Sequence, residues 1–249
     1  MERLLVTFGC SWVYGQGVNY KENMSYDDFK KDINNTDLCN RLSFRNILSQ
    51  NYNRNNLNFA ENSSSNQRQF RLAEEYFLSK SNRWFADRDI VVLWGITSVY
   101  RNELFNNKKK TYDNFSLGER GIGKMFLKEH FDYNEELKKL SGRMKFFNYF
   151  FKDKKIKNFW FTSFNDHIYQ YDVENLLFNG HSLLNLLIND YGTNDSYHWN
   201  NWGEDYESMP TDKNIKKAIE LKVVDPYSCH PTKESHQKIA DFFIKELKI

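Results

Sequence analysis

The segment DIVVLWG at Asp89 to Gly95 constrains the fold of this chain more than any other, because Ile90 to Leu93 is apolar without a break and is closed by a glycine. A strand that is apolar on both faces belongs inside a parallel sheet covered on both sides, whereas a half-exposed strand alternates. A second run of the same kind, Leu4 to Phe8, ends in Gly9-Cys10-Ser11. Leu57 to Ala60 and Asn158 to Phe164 read as two further strands. Between these runs lie segments with helical spacing: Asp37 to Asn51, Gln67 to Leu78, Tyr133 to Phe151, and a strongly amphipathic stretch after Pro231. Strands alternating with helices predict an α/β fold, with ligand chemistry beyond the carboxyl ends of the strands.

Ser11, the polar turn ENSSSN and the residues after Gly95 all fall at that end. A serine where a buried strand turns into a loop has a hydroxyl fixed by the sheet and exposed by the loop, which suits a nucleophile. Such a serine needs a base. His230 supplies a candidate in DPYSCHPTKESHQKIADFF, and His236 in the same segment reads as a packing or surface residue.

The composition allows one domain spanning residues 1–249: 249 residues with 17% aromatics can bury a sizeable core, and no break in composition divides the chain. Residues 166–224 read as an elaborated region within it. A net charge of +2 with interspersed signs gives no basic stripe for nucleic acid, and the run at Asn106 to Lys110 reads as a solvated loop. No segment reaches the roughly 20 apolar residues that span a bilayer, and Leu4 to Phe8 is too short for a secretory signal core. The expected location is cytoplasmic, with no membrane partner. Cys10, Cys39 and Cys229 form neither a CxxC pair nor an even set, in keeping with a reducing compartment. A metal site of Cys10, Cys229 and His230 lacks ligand spacing, so no metal and no cofactor is expected.

Taken together, FGCSWVYG, NFAENSSSNQR, VVLWGITSVYRNE and HPTKESHQKIADFF resemble the sequence blocks of the SGNH (GDSL-like) hydrolases, in particular a phage- and bacteria-associated branch whose first block reads FGCS. The resemblance covers both ends and the second and third blocks, and leaves Phe105 to Leu221 unmatched. It implies a three-layer α/β/α sandwich with a mainly parallel central sheet, of flavodoxin-like type. It also implies a serine esterase acting on a small acyl ester, such as an O-acetyl group on a carbohydrate. The implied nucleophile is Ser11 and the implied general base is His230.

Three positions depart from that pattern. The acid three residues before the histidine is replaced by Tyr227, and the nearest carboxylate is Asp225, which is either the third member of a triad or a turn aspartate beside a Ser-His dyad. Ser63 stands where a glycine donates its backbone N–H to the oxyanion, and Thr97 where an asparagine donates its side chain. The implied oxyanion hole therefore comprises Ser11, Ser63 and Thr97, with Asn66 as a substitute side-chain donor or an Asx-turn residue. Arg68 and Arg101 follow the second and third blocks, and can either bind an anionic substrate or pair with scaffold acids such as Glu103. Cys10, next to Ser11, is expected to point away from the site. Tyr197, Trp199, Trp202 and Tyr206 have the composition of a sugar-stacking surface or of local packing. The departures keep two other readings open: an SGNH-fold carbohydrate-binding or structural protein without efficient catalysis, and an acyltransferase using the same serine.

Overall fold

The computed structural model describes residues 1–33, 35–99, 101–116, 129–163, 173–189, 213–247 and 249. The aromatic positions Tyr197, Trp199, Trp202 and Tyr206, much of the 166–224 region and the end of the expected strand at Phe164 lie outside the described residues.

Four parallel strands form the central sheet in the order β2-β1-β3-β6, with β1 at Glu2–Phe8, β2 at Asn55–Asn58, β3 at Arg88–Ile96 and β6 at Lys157–Thr162. Leu5 pairs with Val91 and Phe8 with Trp94 across β1 and β3, so the two most apolar runs lie side by side in the middle. Successive side chains on these strands go to opposite faces and feed two cores. Leu5, Val91, Leu93 and Phe161 face α4 (Phe44–Asn51), α8 (Leu183–Ile188), α9 (Lys213–Glu220) and α10 (Lys233–Glu246). Val6, Phe8, Val92, Trp94 and Trp160 face α5 (Asn66–Phe77), α6 (Asn82–Ala86) and α7 (Tyr133–Asp153). The result is the α/β/α layering expected from the sequence.

On the second face, rings stack from strand to strand. Phe59 lies 5.0 Å from Phe8, Phe8 4.4 Å from Trp94, and Trp94 4.8 Å from Trp160, measured between centroids. This ladder runs near the carboxyl ends of the strands, where aromatic pairs add about 0.5–1.5 kcal/mol each beyond burial. It stiffens the edge on which the loops sit.

Two elements differ from expectation. The second strand is the polar Asn55–Asn58 rather than Leu57–Ala60; it occupies a sheet edge, pairs with β1, and its residues are exposed or half-buried. The helical stretch Asp37–Asn51 divides into α3 (Thr36–Leu42) and α4 at Ser43, whose backbone is extended at φ −69°, ψ 151°. The run at Asn106 to Lys110 caps a hairpin of β4 (Arg101–Asn106) and β5 (Thr111–Ser116). Two short helices, α1 (Ser11–Tyr14) and α2 (Tyr26–Asp32), follow β1. Among the described residues no helix is long and apolar enough to cross a membrane.

Candidate active site

Ser11 opens α1 directly after β1, with Cys10 as the preceding cap residue. Val13, two residues further on, is seated against the sheet by two glycines. A Cβ on Gly9 or on Gly95 would come within 2.3 Å of the Val13 Cγ2 methyl. Both glycines are needed for this close approach, and it fixes α1, and so Ser11, at the carboxyl edge of β1 and β3. As the first residue of the helix, Ser11 has an N–H with no intrahelical carbonyl to bond.

His230 arrives from a short loop between Val224 and Pro231, which pair as an antiparallel bridge. The loop is tied by Asp225 N–H to the His230 carbonyl at 2.8 Å and by Cys229 N–H to the Asp225 carbonyl at 3.1 Å. Thr232 then caps α10 by accepting from Ser235 N–H. Gly17, at φ +96°, passes so close that a Cβ there would lie 2.9 Å from the His230 Cβ. The outcome is a contact of 2.6 Å between His230 Nε2 and Ser11 Oγ.

The other face of the imidazole meets Ser228, whose Oγ lies 2.9 Å from His230 Nδ1. Ser228 Oγ in turn donates to Asp225 Oδ2 at 2.7 Å. Asp225 is fully buried and also accepts the N–H groups of Tyr227 and Ser228 on Oδ1 and of His230 on Oδ2. Burial raises the Asp225 carboxyl above the usual range, while these hydrogen bonds oppose the rise. Asp225 therefore stands behind His230 but does not touch its ring; Ser228 fills the gap. Its signal was present, since Asp-Pro-x-Ser is an Asx-turn pattern that folds the fourth residue back onto the carboxylate.

Burial, and next the charge of Arg101, hold His230 down to about 3, so the imidazole is neutral at pH 7 and able to accept a proton. Tyr227 points outward instead, donating its hydroxyl to the Met24 carbonyl at 2.7 Å and packing edge-on to Tyr20 and Tyr26. It pins the His230 loop to the segment after α1.

Ser63 adopts φ +58°, the left-handed backbone that favours glycine, at the position where the resemblance calls for one. Thr97 is buried, and its Oγ1 has no hydrogen-bond partner among the described residues. Asn66 is placed otherwise than an oxyanion donor would be: its Oδ1 accepts Thr97 N–H at 2.9 Å and its Nδ2 donates to the Thr97 carbonyl at 2.8 Å, so its carboxamide clamps the Thr97 backbone.

Arg68 is committed to the scaffold through the Phe59 carbonyl and Glu61. Glu103 accepts from Arg71 on both its oxygens, at 2.9 and 2.7 Å. Arg101 is buried beside Asn66 on the wall of a cavity of about 220 Å³ between α5 and α7. Cys10 turns away, its Sγ 3.6 Å from Ser163 Oγ. Burial pushes the Cys229 thiol up to about 12, which keeps it protonated. His236 is buried and stacked on Phe44, and its Nδ1 accepts Phe44 N–H at 3.3 Å. Among the described residues, no three His, Cys, Asp or Glu side chains gather as a metal-ligand set.

No protein-family model and no curated protein matches this chain. Among solved structures, it is similar to a carbohydrate esterase whose active site is described as displaying divergent catalytic and non-catalytic binding functions. That match has 11% identity and a TM-score of 0.46, covering 98% of this chain and 67% of the other. It is also similar to an acetyl xylan esterase, Est2A, from the rumen bacterium Butyrivibrio proteoclasticus, with 12% identity and a TM-score of 0.42, covering 98% of this chain and 64% of the other. The chain thus spans about two thirds of the length of each. At these scores the likenesses carry no functional weight.

Proposed function

We propose that this protein is a serine esterase of the SGNH type, with Ser11 as nucleophile and His230 as general base. The observation that carries the reading is the 2.6 Å contact between His230 Nε2 and Ser11 Oγ, within the reach that proton transfer requires. Ser11 Oγ attacks the acyl carbon as its proton passes to Nε2. The tetrahedral oxyanion is met by the N–H groups of Ser11 and Ser63 and by the Thr97 hydroxyl. The ester C–O bond then breaks, and the alcohol leaves with the proton from Nε2. Water repeats the sequence on the acyl-enzyme, releasing the carboxylic acid and restoring Ser11.

The substrate class is a small acyl ester, with an O-acetyl group on a carbohydrate as the form the family resemblance implies. Replacing Ser11 with alanine is expected to abolish both hydrolysis of p-nitrophenyl acetate and labelling by a fluorophosphonate probe. Equal activity in the two proteins would overturn the assignment.

A further inference from the structure

We propose that Ser228 is a positioning residue of this site, its hydroxyl standing between Asp225 and His230 and holding the imidazole in the tautomer that leaves Nε2 bare toward Ser11. The proposal rests on the reading of Ser11 and His230 as nucleophile and base.

The direction of each hydrogen bond follows from counting protons. An ionised carboxylate only accepts, so at 2.7 Å from Asp225 Oδ2 the Ser228 hydroxyl donates. A hydroxyl has one proton to give. At 2.9 Å from His230 Nδ1, Ser228 Oγ is therefore the acceptor, and Nδ1 carries the hydrogen. Nε2 is then unprotonated and receives the Ser11 hydroxyl at 2.6 Å.

Ser228 is itself held at two points, because its backbone N–H donates to Asp225 Oδ1 at 2.6 Å. A turn that binds both its amide and its hydroxyl to one buried carboxylate leaves the Oγ lone pairs a single direction to face. When Ser11 attacks, its proton moves to Nε2 and the resulting imidazolium keeps its Nδ1 hydrogen. No proton travels through Ser228, and Asp225 acts on the imidazolium charge across one hydroxyl instead of by direct contact. This arrangement accounts for an acid placed five residues before the histidine.

The test is nitrogen-15 NMR of the histidine rings in the full chain at pH 7, combined with kinetics on p-nitrophenyl acetate. His230 is expected to show a protonated Nδ1 and a bare Nε2. His236 serves as an internal reference of opposite tautomer, since its Nδ1 accepts Phe44 N–H. In Ser228→Ala the His230 tautomer is lost or becomes mixed while the His236 signals stay in place, and kcat falls about 100-fold or more with KM changed less than about 3-fold. Ser228→Thr, which keeps the hydroxyl, recovers both signals and kcat. A Ser228→Ala protein with an unchanged His230 spectrum overturns the proposal, as does one with unchanged kcat. If the wild-type protein neither turns over nor labels, the esterase reading fails, and the His230 spectrum still decides whether Ser228 sets the tautomer.

Discussion

Arg101 lowers the proton affinity of His230, adding its charge to the larger effect of burial. Removing that charge with Arg101→Gln is expected to raise the His230 midpoint from about 3 toward, but not up to, the ordinary value of 6.5, since desolvation remains. An NMR titration of the imidazole measures this directly, and a midpoint that stays put or falls contradicts it. At this scale the meeting of Ser11 and His230 is legible in the sequence, because each residue type carries its own chemistry. A role that depends on a neighbour's geometry is illegible there. Ser228 looks like any turn serine until the Asp225 carboxylate folds beneath it, and Asn66 resembles a free donor until the Thr97 backbone arrives to occupy both ends of its carboxamide.

At the scale of elements, α1 owes its place to the Gly9 and Gly95 pair closing on Val13. A methyl at Gly95 would also press within about 3.0–3.1 Å of the Phe161 ring, so Gly95→Ala must shift α1 away from the sheet. The expected cost is about 1–3 kcal/mol of stability together with a drop in kcat, as Ser11 moves relative to His230. Trimming the obstacle in Gly95→Ala/Val13→Ala should recover part of the stability, with a coupling of about 0.5–3 kcal/mol between the two sites. Strictly additive losses in thermal unfolding would refute the contact. The central strands β1 and β3 were readable because burial on both faces demands unbroken apolar sequence. The edge strand β2, NNLN, lacks that demand, so apolar content points two residues late, to Phe59 and Ala60 just past its end. The division between α3 and α4 was hidden because the apolar spacing continues across Ser43 although the backbone does not.

For the whole molecule, fully buried His236 and half-buried His230 set an acid limit to stability. His230 and His236 are both held down to about 3, whereas an unfolded chain titrates them near 6.5. Folded-state values below unfolded ones mean that stability is complete above pH 6.5 and is lost as pH falls from there toward 3. Each histidine contributes a slope of about 1.4 kcal/mol per pH unit within that window. Asp225, with its carboxyl raised by burial, works in the opposite sense at the acid end. Urea unfolding at pH 7.5, 6 and 5 should therefore show a falling midpoint, and His236→Gln, which cannot titrate, a shallower decline. A midpoint that is flat from pH 7.5 to 5 counts against the lowered values of both histidines.

The contact between Ser11 and His230 joins residues 219 positions apart in the chain. During synthesis at about 5–20 residues per second, some 10–40 s separate the emergence of the serine from that of its partner. Throughout that interval the hydroxyl is an ordinary alcohol with no neighbouring base to take its proton. A nascent chain paused before His230 is thus expected to escape a fluorophosphonate probe, and labelling would report completion of the fold as much as chemistry.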